Sequence, residues 1–324
     1  MRYPRLNAVP GLAAVHPGRA RGLAVPPLVA VAHGSTDPRA AAAIAGLMRL
    51  ASEAAGRRGL PVPETRTAFL GHAPPSVGQV LSALADQDRG PRPRHVVVLP
   101  LLLTAAYHSE ADLPALLGQA RGTLPGLRIS YGEPLGPHPL LLRALDRRLA
   151  ECGAPAAPGM TGPGSQRPDA PQPGRGQGAR GRPLPRSPRD IAVVLASAGS
   201  SRPAANAAIA RIAARWQAAR GWRAVVPAYA AASALTPGQA VAALLRDGAP
   251  CVLVATYLLA PGVFADQVAA AALRAGAAGV SGALGAAPEV AELVLLRYAR
   301  ALAGSRRMDP AQPGDALGET GSCR

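Results

Sequence analysis

Two stretches of this chain, 27–152 and 190–304, carry the same order of signals. In each, short β-branched runs alternate with longer Ala- and Leu-rich runs of helical period. In the first stretch the expected strands are Leu28–Ala32, Arg66–Leu70, His95–Leu99 and Leu127–Tyr131. Helices are expected after them at about 37–57, 75–87, 109–121 and 137–151. In the second the strands are Ile191–Ala196, Arg223–Ala228, Cys251–Ala255 and a weak one near 278–282. The helices there are expected at about 203–220, 237–247, 263–275 and 287–303. Strict alternation constrains each stretch to an α/β unit, a small parallel sheet flanked by helices.

The two stretches read as copies. Gly34-Ser35 recurs as Gly199-Ser200, and Gly78-Gln79 with Ala83-Leu84 recurs as Gly238-Gln239 with Ala243-Leu244. Thr104-Ala105-Ala106 aligns with Ala260-Pro261-Gly262, and Leu135-Gly136 with Leu284-Gly285. The offset between copies shrinks along the chain, as shorter loops in the second copy would make it. The resulting division is a disordered tail at 1–26, a first unit at 27–152, a linker at 153–189, a second unit at 190–304 and a disordered tail at 305–324. The linker is rich in Gly, Pro, Arg, Gln and Ser and cannot bury enough apolar surface to order itself.

Charge raises nucleic acid as a partner and then argues against it. The net charge is +16, but all 35 basic residues are Arg, in a chain rich in Ala, Gly and Pro. That composition is what a GC-rich genome produces. Half of the excess lies in the tail and linker, and neither aromatic stacking motifs nor an Arg-rich helix accompany it. An anionic small substrate suits the remainder. No apolar run approaches a membrane span, and no secretory signal is read in the first 27 residues. Cys152, Cys251 and Cys323 are too few and too far apart for a disulfide framework or a CxxC metal site. A cytoplasmic setting is expected.

The histidines break the symmetry. All six lie at or before position 138. His33, His72, His108 and His138 follow strands or start helices, and their duplicate positions are Ala198, Ala232, Phe264 and Ala287. The second copy thus keeps the scaffold and lacks every imidazole. Ligands of open α/β sheets bind outside strand C-termini. His33 and His108 fall there, and two imidazoles with open positions beside them, helped by Glu110, suit a divalent transition metal that is delivered rather than stored. His138, between two prolines, reads as a helix-start residue, and His95 and His16 as incidental. The loop His33–Pro38 holds Gly34 for a tight turn, and Ser35, Thr36 or Asp37 can cap the next helix. That helix start could also face an anion.

These motifs resemble a known family. Val29-Ala30-Val31-Ala32-His33-Gly34-Ser35 resembles the opening strand and His-Gly-Ser loop of the sirohydrochlorin chelatases, the class II tetrapyrrole chelatases. Leu99-Pro100-Leu101-Leu102-Leu103-Thr104-Ala105-Ala106-Tyr107-His108, running on to Asp112-Leu113-Pro114, is similar to their second motif. Ala68-Phe69-Leu70 with Pro75-Ser76, and Leu135-Gly136-Pro137-His138-Pro139, are similar to two further segments. Where the family often has an acidic residue after the Phe-Leu pair, this chain has Gly71 and then His72. The resemblance implies two tandem chelatase-like domains with a cleft between them. It implies a lyase inserting Fe²⁺ or Co²⁺ into sirohydrochlorin, for sirohaem or cobalamin; nickel also fits this fold, and no organic cofactor is implied. His33 and His108 are then the metal-binding and catalytic residues. Gly34, Ser35, Thr36, Arg39 and His72 are candidates for binding the polycarboxylate substrate. The missing second set of imidazoles implies one site per chain and a monomer with internal pseudo-two-fold symmetry. Two other readings stay open: a non-catalytic metal or tetrapyrrole carrier on this fold, and an Arg-driven nucleic-acid binder.

Overall fold

The computed structural model describes residues 25–87, 94–104, 112–152, 187–231 and 235–307. Its first half runs β1 (Leu28–Ala32), α1 (Pro38–Arg57), β2 (Thr65–Phe69), α2 (Val77–Gln87), β3 (Arg94–Pro100), α3 (Leu113–Thr123), β4 (Leu127–Tyr131) and α4 (Pro139–Ala150). The second half repeats it as β5 (Ile191–Ser197), α5 (Pro203–Arg220), β6 (Ala224–Tyr229), α6 (Pro237–Arg246), β7 (Cys251–Tyr257), α7 (Val263–Arg274), β8 (Gly279–Val280) and α8 (Pro288–Arg307). The expected strands and helices all appear, with ends shifted by a few residues.

Each half forms a four-stranded sheet, in the orders β2-β1-β3-β4 and β6-β5-β7-β8, and all pairings are parallel. The strands run as continuous apolar segments because both sheet faces are covered; β1, β5 and β7 are buried at every position. Matching loop hydrogen bonds register the duplication. Gly71 N–H donates to the His33 carbonyl as Ala231 N–H does to Ala198, and Gly132 N–H donates to Val98 as Ser281 N–H does to Val254.

Alternate residues of β1 enter separate cores. Val29 and Val31 pack under α2 and α3 with Leu81 and Leu117, and Val194 packs correspondingly with Val241 and Val268. Leu28 and Ala30 face a central core shared by both halves, built on Leu47 of α1, Leu141 of α4, Trp216 of α5 and Val294 of α8. The final helices cross over within it. α4 lies against β7 of the second sheet, and α8 lies against β3 and β4 of the first.

Polar ties lock this exchange. Arg147 of α4 holds the buried Glu289 of α8 through three hydrogen bonds of 2.7–3.1 Å. Asp146 accepts from Trp216 Nε1 at 3.0 Å and Arg220 Nε at 2.9 Å. Arg297 of α8 pairs with Glu133, in the loop after β4.

Candidate metal-handling site

Strand order places the site. Both crossovers leave from β1 and β3, in opposite directions, so a crevice opens where those two strands end. β1 ends at Ala32, and His33 is the first residue on the rim, with its side chain exposed. Leu70 N–H donates to the Ala32 carbonyl at 3.0 Å and Gly71 N–H to the His33 carbonyl at 3.1 Å. These bonds carry the β1–β2 pairing one step past the strands and dock the two loops together.

Gly34 makes that docking feasible. Its φ is +95°, and a Cβ there would lie 1.7 Å from the Gly71 carbonyl oxygen. No residue with a side chain fits this approach. The docked loops bring His72 beside His33. The rings stack with centroids 5.8 Å apart and planes 16° from parallel. His72 sits at φ +61°, left-handed backbone that a non-glycine residue rarely adopts. His33, Leu70, Gly71, His72, Asp112 and Leu116 line a pocket of about 440 Å³ here, with Ala115 and Gln119 completing it.

The rest of the loop is turned inward on itself. Ser35 Oγ accepts from Asp37 N–H at 3.1 Å. Asp37 is the residue that caps α1, accepting from Arg39 N–H at 2.9 Å. Thr36 is exposed on the same loop. Arg39 is held by two carboxylates, Asp37 and Asp266 of α7, each at 2.6 Å. Its guanidinium keeps the Asp37 carboxyl below the usual carboxylate range. A substrate carboxylate at Arg39 would have to compete with both. Sequence reading had given Asp266 no role. Its partner lies 227 residues away, a pairing no local pattern reveals.

His108 and Glu110 lie outside the described residues, so the expected His33–His108 pair is not seen together; the structure pairs His33 with His72. Among the described residues, no group of three His, Cys, Asp or Glu side chains could hold a metal ion. The other described histidines take structural places. His138 caps α4, its Nδ1 accepting from Leu140 N–H at 3.2 Å, and His95 Nε2 meets Ser130 Oγ at 2.7 Å. Burial, with Arg297 and Arg300 adding to it, lowers the His138 pKa to about 4.

The second sheet brings its rim against the first. Tyr257, at the end of β7, donates its hydroxyl to the Leu103 carbonyl at 3.1 Å, just past β3. At the position matching His33 it carries Ala198, followed by Gly199 at φ +83°, and Ser200 repeats the Ser35 turn by accepting from Arg202 N–H. The turn is retained without its imidazole.

A family profile, CbiX, matches residues 27–152 and 192–301, more than half of the chain. The chain belongs to the CbiX family. Among curated relatives of this CbiX chain, a sirohydrochlorin ferrochelatase of Bacillus subtilis (strain 168) is 31% identical over 113 residues, 34% of this chain and 42% of the relative. A sirohydrochlorin cobaltochelatase of Priestia megaterium is 25% identical over 202 residues, 62% of this chain and 56% of the relative. The chain thus spans about half the length of the curated relatives it matches. The solved structure of SirB from Bacillus subtilis with Fe³⁺ aligns at a TM-score of 0.65 and 22% identity, covering 87% of this chain and 97% of that one. This likeness extends the shared CbiX fold over both halves.

Proposed function

We propose that this chain is a sirohydrochlorin chelatase, a lyase that inserts Fe²⁺ or Co²⁺ into a metal-free tetrapyrrole. The observation that carries the reading is the stacked His33–His72 pair at the β1/β3 crevice, on the half that retains imidazoles. The names of the relatives supply the substrate class, and the family shared with them supplies the fold for it.

Insertion removes two pyrrole protons and exchanges the ion's waters for four nitrogens. A neutral imidazole can hold the arriving ion and, once the ion has left, accept a proton. His33 and His108 take these roles in the proposal. The macrocycle rests over Gly34, Ser35 and Thr36, with His72 at its edge. Arg39 reaches it with whatever its two carboxylates leave exposed. Nickel is a further ion that such nitrogen donors accept. No organic cofactor enters the scheme. We place the protein in the cytoplasm as a monomer with internal pseudo-two-fold symmetry, having no nucleic-acid partner, and with residues 153–189 as the linker between its two units. Among the described residues, no helix is long and apolar enough to cross a membrane.

The test is anaerobic. Sirohydrochlorin is mixed with the protein and Fe²⁺, Co²⁺ or Ni²⁺, and the tetrapyrrole absorption is followed against a protein-free control. Insertion well above the control is expected, and the ratio of rates names the pathway served. A rate equal to the control, with metal still bound by the protein, would make it a carrier instead.

A further inference from the structure

We propose that the wall of the His33–His72 pocket formed by α3 is a subsite for one carboxylate arm of the macrocycle, with the Gln119 carboxamide as its donor. This rests on the chelatase reading above and assigns which way the polycarboxylate lies against the imidazoles.

Helix phase makes the wall. Leu113, Leu117 and Ala120 are the buried stripe that seats α3 on the first sheet. Asp112, Ala115, Leu116 and Gln119 recur at spacings of three and four, so they share the adjacent face. All four line the same pocket that the rim loops line with His33, Leu70 and His72. The stripe is accessible: Leu116 is 39% exposed, with Ala115 and Gln119 exposed beside it.

The stripe is chemically graded. It starts with the Asp112 carboxylate, passes through the apolar Ala115 and Leu116, and ends in the Gln119 carboxamide. Its two ends are separated by about 10 Å of helix. That matches the reach from the centre of a tetrapyrrole to the tip of a peripheral carboxylate arm. The chain has 35 basic residues, all Arg, yet among the described residues no Arg lines this pocket. A dication arriving beside the imidazoles and Asp112 therefore meets no fixed positive charge from its walls.

Chemistry decides the occupant. The volume of about 440 Å³ takes a pyrrole edge with its side arms, not the whole macrocycle. A substrate carboxylate is repelled by Asp112 and meets a neutral N–H donor two turns further on, at Gln119. A carboxamide donates to that carboxylate without opposing the arriving ion, as a guanidinium would. Leu70 and Leu116 flank the apolar part of the arm. With the ring centre at the imidazoles, one arm runs past His72 to Gln119 and orients the macrocycle.

The experiment titrates metal-free sirohydrochlorin into the full chain, without metal, by absorption and fluorescence. Gln119→Leu keeps the bulk, removes the donor and should weaken binding about tenfold. Gln119→Glu should weaken it further, and Gln119→Arg should bind at least as tightly as the wild type. With the carboxylate arms of the macrocycle esterified, wild type and Gln119→Leu should agree within about twofold. Co²⁺ binding without tetrapyrrole should stay at the wild-type level in Gln119→Leu. Thermal melts confirm folding, since Gln119 is on the surface. Binding that Gln119→Leu and Gln119→Glu both retain within twofold would overturn the subsite while leaving the chelatase reading standing. A tenfold gap that persists with the ester would overturn the carboxylate as its occupant. No binding by the wild type would overturn both readings.

Discussion

His72 is held in a costly place. At φ +61° its backbone lies in a region that suits glycine, and a non-glycine residue there costs about 1 kcal/mol. The same geometry stacks its ring on His33. His72→Gly should therefore raise the melting temperature slightly while lowering the insertion rate. A melting temperature that falls would show the backbone unstrained, and an unchanged rate would remove His72 from the site. His138 makes a separate prediction. Its imidazole has a pKa of about 4 in the folded chain, against 6.5 as the ordinary value. The unfolded chain binds the proton more tightly, so the group's contribution is complete above about pH 6.5 and is lost as pH falls toward 4. His138→Asn keeps a cap acceptor for Leu140 N–H but does not titrate. Wild-type stability should fall more steeply than the variant's between pH 7 and pH 5 in thermal melts; parallel curves would contradict this. The place of His33 was legible because a polar residue ends an apolar strand. Its partner His72 was weighed alone, since loop docking through Gly34 and Gly71 is a tertiary event. Likewise the capping of α1 was narrowed to Ser35, Thr36 or Asp37, and only coordinates select Asp37.

Periodicity made the elements readable. β1 and β4 have the expected bounds, and β7 runs two residues further, to Tyr257. The weak fourth strand of the second half is the two-residue β8. What hydrophobic periodicity leaves open is the surface an apolar face will meet. α4 and α8 each carry such a face, and each covers the other half's sheet. No local pattern distinguishes that arrangement from two closed halves. The exchange makes the α4–α8 contact a joint for the whole chain. Glu289 is buried there beneath Arg147, so Glu289→Ala leaves the guanidinium without its partner. It should lower stability by about 2 kcal/mol, in one denaturant transition that Trp216 and Trp222 fluorescence and far-ultraviolet circular dichroism report together. Separate transitions from the two probes would show that the halves are not coupled through this joint.

At the scale of the molecule, a duplicated scaffold has been divided in use. Both halves keep the positive-φ glycine and the serine turn after their first strand. Only the first presents imidazoles, while the second carries Ala198 at the position that matches His33. Arg39 and Asp266 pair across the junction of the two halves. Symmetry of this kind is visible in sequence as repeated dipeptides; the facing of the two rims is not, because it depends on how the central helices pack. The measurement that bears most directly on this account is the rate of Co²⁺ insertion into sirohydrochlorin by His33→Ala beside His138→Asn. The account predicts at least a roughly hundredfold loss for His33→Ala and a rate within about threefold of wild type for His138→Asn. A His33→Ala variant that inserts metal at the wild-type rate would contradict it.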